Sequence, residues 1–101
     1  MTQLKGVIYT LCDPRDSSVH YIGKTKRTIE IRLREHINDK KNTFKTRWIK
    51  ELKLLNLIPE IKIIKEVNLE DLHLTEIMLI CEYKLNKHPI KNSLSGLYRY
   101  R

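Results

Sequence analysis

Two short β-rich runs, 6–12 (GVIYTLC) and 18–23 (SVHYIG), are separated by Asp13-Pro14-Arg15-Asp16-Ser17. Proline presets one turn angle, and the Asp and Ser side chains bond their own backbone, so the pattern predicts an antiparallel hairpin with a longer than minimal loop. Side chains alternate along a strand. Val7, Tyr9 and Leu11 therefore share one face, with Ile8 and Thr10 on the other. Neither face is strongly polar, so both are expected to be covered.

The rest of the chain supplies the cover. Gly23-Lys24-Thr25 is expected to break the second strand, and Thr25 or Thr28 to cap a helix. Ile29, Leu33 and Ile37 recur every four residues as a core-facing stripe. Arg32 and His36 stand one position back, side by side along its margin. A second helix is expected from about Thr43 to Asn56, with Phe44, Trp48, Leu52 and Leu55 inward. Lys45, Arg47, Lys50 and Lys53 then look outward or sideways, and Pro59 marks the boundary. Ile61, Ile63, Ile64 and Val67 read as a third strand, followed by a helix from about Leu69 to Leu85 that Pro89 closes. The tail from Lys91 to Arg101 is basic, tyrosine-rich and expected to be partly irregular. The predicted class is α/β (α+β), a small three-stranded antiparallel sheet flanked by helices in the order β-β-α-α-β-α. One domain spans 1–101.

A chain of 101 residues, 41% apolar, can build one core and no more. Its 20 Lys plus Arg against 12 Asp plus Glu leave a formal charge of +8, which favours a polyanionic partner, nucleic acid before an acidic membrane surface. No apolar run approaches the ~20 residues that span a bilayer, and the first residues lack the pattern of a signal peptide. Cys12 and Cys81 lie far apart without CxxC or Cys/His pairing, as expected of reduced core thiols in a cytoplasmic protein.

Tyr21-Ile22-Gly23-Lys24-Thr25, with Arg32 and His36 following at helical spacing, brings together a phenol, an ammonium, a guanidinium and an imidazole. Three of these can hold a phosphate and two can move a proton, which suggests chemistry on a phosphodiester. Gly23-Lys24-Thr25 is no phosphate-binding P-loop, because that motif needs a glycine where Ser18 stands. Glu76 is the second signal. It shares a helix face with Leu72, Leu79, Ile80 and Tyr83, and a buried carboxylate needs a compensating partner. A cation would serve, and so would a salt bridge to Arg32, Lys24 or a neighbouring lysine. Lys40, Lys41, Lys45, Arg47, Lys50 and Lys53 form a candidate phosphate-tracking surface, while Trp48 is expected in the core. His20, His73 and His88 have no evident partners.

Taken in order, Val7-Ile8-Tyr9, Tyr21-Ile22-Gly23, Lys24-Thr25, Arg32, His36, Glu76 and Asn92 (in Ile90-Lys91-Asn92) resemble the GIY-YIG nuclease superfamily over nearly the whole chain. Val7 replaces the first glycine of the pattern. No extra DNA-binding domain of the kind many members carry is expected beside the match, which bears on target choice more than on chemistry. The resemblance implies a metal-dependent endonuclease acting on DNA, with catalytic residues Tyr9, Tyr21, Lys24, Arg32, His36, Glu76 and Asn92. By that resemblance Glu76 is the lone protein ligand of one Mg²⁺ or Mn²⁺ ion, and Arg32 grips the scissile phosphate. Tyr9 then deprotonates the attacking water if a nearby cation lowers its pKa from ~10. His36 is an alternative base, and Asn92 orients a water or a side chain. One metal site cuts one strand at a time, so double-strand cutting would call for a dimer or a specificity-giving partner. Two other readings are a nucleic-acid-binding module of the same fold without useful activity, and a basic scaffold in which Tyr9, Arg32 and Glu76 lie far apart.

Overall fold

The computed structural model describes residues 4–92. The expected tail, apart from Lys91 and Asn92, lies outside them. The order is β1 (Lys5–Cys12), β2 (Val19–Thr25), α1 (Ile29–Ile37), α2 (Phe44–Leu54), β3 (Glu60–Asn68) and α3 (Leu69–Leu85). The strands form one antiparallel sheet in the order β2-β1-β3, which is the predicted α+β arrangement. Within the described residues no helix is long and apolar enough to cross a membrane.

β1 is the centre of the sheet, and its run of apolar residues on both faces is the reason. Tyr9 and Leu11 pack with Trp48, Ile49 and Leu52 of α2, and with Ile29 and Leu33 of α1. Ile8 packs on the other face with Ile22, Leu72 and Ile80, the last two from α3. Alternation along the strand thus sends successive residues into two separate cores. The hairpin loop closes through Asp13, whose amide donates to Ser18 O at 2.8 Å, with Ser17 at φ 63°. The Asp13 carboxylate is buried, and it accepts from Arg15 and from Trp48 Nε1 (3.2 Å), so the turn is tied to the core.

Two expectations need correction. β2 does not break at Gly23 but runs to Thr25, with Gly23 opposite Tyr9 and Lys24 opposite Ile8. On α2 the inward stripe is Lys45, Trp48, Ile49 and Leu52, whereas Phe44 and Leu55 are exposed. Phe44 is the first helical residue and lies under the Arg47 guanidinium at 5.4 Å. Leu55 is the C-cap, already turned out of the helix. Thr28 is the N-cap of α1, its side chain accepting from the Ile31 amide. Thr43 and Thr46 exchange bonds as the capping box of α2.

The outer edge of β2 is closed by the end of the described chain. The Asn92 side chain accepts from Ile22 N at 2.9 Å and donates to Ile22 O at 2.7 Å. The Lys91 amide donates to His20 O at 2.6 Å. An edge strand is protected when its free backbone groups are covered in this way.

The two faces of α2 set a stability contrast. Leu52→Ala should cost about 2–5 kcal/mol, as cavity-forming core changes do, and Phe44→Ala no more than about 0.5 kcal/mol. Urea midpoints measure both, and a larger loss at Phe44 would contradict the observed α2 orientation.

Candidate active site

Strand pairing places the Tyr9 ring across Gly23. A Cβ at position 23 would overlap Tyr9 Oη and Cζ and come within 2.9 Å of Cε1. Glycine is needed here for close approach, since no described glycine has a positive φ. The Tyr9 oxygen is thereby carried over the edge strand to meet α1. Arg32 Nε donates to it at 3.0 Å, and His36 Nε2 lies 2.6 Å from it.

His36 sits deeper than the helix margin predicted for it, at 2% exposure. Its ring stands edge-on to Tyr9 and Tyr21, with centroids 5.7 Å and 5.1 Å away. Behind it comes Lys45, which does not lie on the phosphate-tracking surface expected of it. Lys45 turns inward, with Nζ 2.9 Å from His36 Nδ1, and donates to Asp39 Oδ2 at 2.9 Å. The same ammonium lies 5.4 Å from the centre of the Tyr21 ring. A signal for this existed: Lys45 begins an i, i+3, i+4, i+7 series with Trp48, Ile49 and Leu52.

Burial sets the proton affinities. Burial, then the neighbouring Tyr21, raises the Tyr9 pKa above the ordinary phenol value, with Arg32 opposing. Tyr21 is raised by burial and then by Glu76. His36 is pushed down to about 3 by burial, then by the charges of Lys45 and Arg32. At neutral pH it is an uncharged imidazole, a poor partner for a phosphate and a weak base. Of the proton carriers expected on this side, Tyr9 is the one that meets both Arg32 and His36.

Across β2 lies the other half of the site. Lys24 points to the face that α3 covers, and its ammonium donates to Glu76 Oε1 at 2.9 Å, with His73 Nδ1 at 3.2 Å. The compensating partner of Glu76 is therefore Lys24, one of the two kinds anticipated. The pair is open to water on one side, because the Lys24 side chain is 36% exposed. Tyr9, Arg32 and His36 stand on one face of the edge strand and Lys24 and Glu76 on the other, yet the Glu76 charge reaches both phenols.

Among the described residues no three His, Cys, Asp or Glu side chains gather to cage a metal. Mg²⁺ does not require such a cage, since it keeps waters and takes the remaining contacts from phosphate. Glu76 already holds one cationic group, the Lys24 ammonium, and so suits a cation that asks for a single carboxylate.

Of the other expected residues, Asn92 bonds the Ile22 backbone through both ends of its amide, so it holds the second tripeptide in place. Lys40, Lys41, Arg47, Lys50 and Lys53 do share a surface, lining a cavity of about 210 Å³ beside the α1–α2 turn. His20, without an evident partner in the sequence, stacks on Trp48 at 4.5 Å and meets Ser18 Oγ at 2.9 Å. His88 packs against the Tyr83 ring at 4.6 Å. Trp48 is core, as expected.

The depressed His36 pKa predicts a pH profile of stability. The unfolded chain takes up a proton near 6.5 and the folded one near 3, so stability falls as pH drops through that window. His20, also lowered by burial, adds to it, while the lowered Asp13 and Asp39 carboxyls act only below 3.8. Urea midpoints should decline between about pH 7 and pH 4, and less steeply in His36→Gln. A flat wild-type profile over that range would contradict the buried neutral imidazole.

The family model described as GIY-YIG catalytic domain matches residues 5–88. No curated protein and no solved structure matches the chain.

Proposed function

Because the chain belongs to the GIY-YIG family of nucleases, we propose that it is a metal-dependent endonuclease that hydrolyses DNA phosphodiester bonds. The observation that carries this reading is the Tyr9 oxygen, which meets Arg32 Nε at 3.0 Å and His36 Nε2 at 2.6 Å.

Hydrolysis needs a base for the attacking water, charge stabilisation on the phosphoryl oxygens and a proton for the leaving oxygen. Tyr9 is the base. As a phenolate its oxygen accepts the proton of water, whose oxygen bonds to phosphorus as the P–O bond to the leaving group breaks. The leaving oxygen takes a proton from solvent. Arg32 Nε at 3.0 Å favours the phenolate, opposing the burial and the Tyr21 and Glu76 charges that leave the Tyr9 pKa raised. Arg32 spends Nε on Tyr9 and Nη1 on Glu35, and Nη2 makes no bond among the described residues, so it can meet a phosphate oxygen. Glu76 would hold one Mg²⁺ or Mn²⁺ ion, which when bound neutralises phosphoryl charge and favours deprotonation nearby. Lys24, partly exposed, would turn from Glu76 toward solvent or phosphate.

The basic cavity beside the α1–α2 turn fits the sugar-phosphate backbone flanking the cut, with Lys40, Lys41, Arg47 and Lys50 as its contacts. One metal site cuts one strand at a time, so a double-strand break would need a second copy or a specificity-giving partner.

The Lys24–Glu76 ion pair favours a second reading, a DNA-binding module in which Glu76 never exchanges its ammonium for a metal. One experiment separates the two. Labelled linear, flapped and junction DNAs are incubated with wild type, Glu76→Ala and Arg32→Ala in Mg²⁺ or Mn²⁺. We expect nicking by wild type and a loss of at least about 10²-fold in each variant, with folding intact. Binding without any nicking would favour the inert module, and wild-type cutting by Glu76→Ala would remove the proposed metal ligand.

A further inference from the structure

The proton positions in the chain Asp39–Lys45–His36–Tyr9 follow from which groups can only donate. An ammonium has three donors and no acceptor. Lys45 Nζ stands 2.9 Å from His36 Nδ1 and 2.9 Å from Asp39 Oδ2, so Nδ1 must offer its lone pair. In a neutral imidazole the proton then resides on Nε2. Nε2 lies 2.6 Å from Tyr9 Oη, which must therefore accept from it. Arg32 Nε, also donor only, reaches the same oxygen at 3.0 Å. Two donors thus point at the phenol oxygen, and its own hydrogen is spent on neither.

We propose that Lys45 is a positioning residue for cleavage, fixing His36 in the Nε2–H tautomer so that His36 donates to Tyr9 instead of taking its proton. With the opposite tautomer, Nδ1–H would face the Lys45 ammonium donor to donor, and Tyr9 would spend its hydrogen on Nε2. That arrangement stabilises the phenol, whereas two donors aimed at the oxygen stabilise the phenolate. The burial of Lys45 supports the assignment. A lysine that is 9% exposed is costly to hold, yet its amine meets one carboxylate, one imidazole nitrogen and the face of Tyr21. A leucine would fill the same position of the α2 stripe without that cost. The low pKa of His36, set by burial and then by Lys45 and Arg32, keeps the ring neutral as the chain requires.

The consequence for cleavage rests on the nuclease reading, while the tautomer does not, and the test separates them. Nitrogen-15 spectra of the histidines are recorded on the full chain without metal or DNA. We expect His36 Nδ1 as the unprotonated nitrogen and Nε2 as the protonated one. Lys45→Met should move the proton toward Nδ1, and Lys45→Arg should leave it on Nε2. In DNA cleavage, Lys45→Met should lower kcat about tenfold or more with little change in KM, part of the ~10²–10⁴ that a positioned base supplies. Lys45→Arg should recover most of it. A wild-type ring protonated on Nδ1 overturns the proposal, even if Lys45→Met fails to fold. So does a Lys45→Met ring that keeps the wild-type tautomer. An Nε2–H ring in a protein that cuts no DNA upholds the tautomer and sinks the nuclease reading alone.

Discussion

A single phenolic oxygen holds the architecture and the chemistry of this molecule together. Tyr9 is wholly buried on the central strand, yet its hydroxyl reaches the first helix because Gly23 leaves the neighbouring strand bare beneath its ring. Arg32 and His36 then converge on that oxygen from consecutive turns of α1. Helix placement, strand pairing and the missing Cβ are therefore one constraint. A larger residue at 23 would push the ring away from both donors. The hairpin register, held by Asp13 in the turn and by Asn92 along the edge, keeps the glycine opposite the tyrosine.

Charge is distributed to match. The cations that turn inward each have an anion: buried Lys45 has Asp39, and partly exposed Lys24 has Glu76. Exposed cations gather instead around the cavity beside the α1–α2 turn, where a polyanion could meet them without desolvating a charge in the core. The formal charge of +8 is thus a property of the surface more than of the catalytic cluster. The cluster holds a neutral imidazole beside Tyr9, and its carboxylate Glu76 is paired with Lys24 at the margin.

Much of this was legible from residue pattern alone. Alternation in β1 foretold two covered faces, and the four-residue spacing of Arg32 and His36 foretold that they would lie side by side. The lone acid in an apolar helix face foretold that Glu76 needs a cationic partner. What pattern could not supply was depth and register. The break expected at Gly23 rested on glycine as a punctuator, whereas the chain uses it to let a ring pass inside a continuing strand. Phe44 and Leu55 fit a helical stripe by count but fall at the two ends of α2, where the chain is turning in or out. By residue type Lys45 belongs on the surface, as lysines usually do. Its place in the stripe outweighed its type, since Asp39 and His36 were waiting behind it. The Asn92 amide is complementary to one peptide of the edge strand, a pairing across 70 positions of sequence that spacing cannot disclose.

Tyr9→Phe tests the central claim most directly, because it removes one oxygen and leaves ring, sheet and helices in place. The variant should unfold cooperatively, bind DNA as wild type does, and lose metal-dependent nicking. Nicking at the wild-type rate by a folded Tyr9→Phe protein would contradict the assignment of that oxygen as the base.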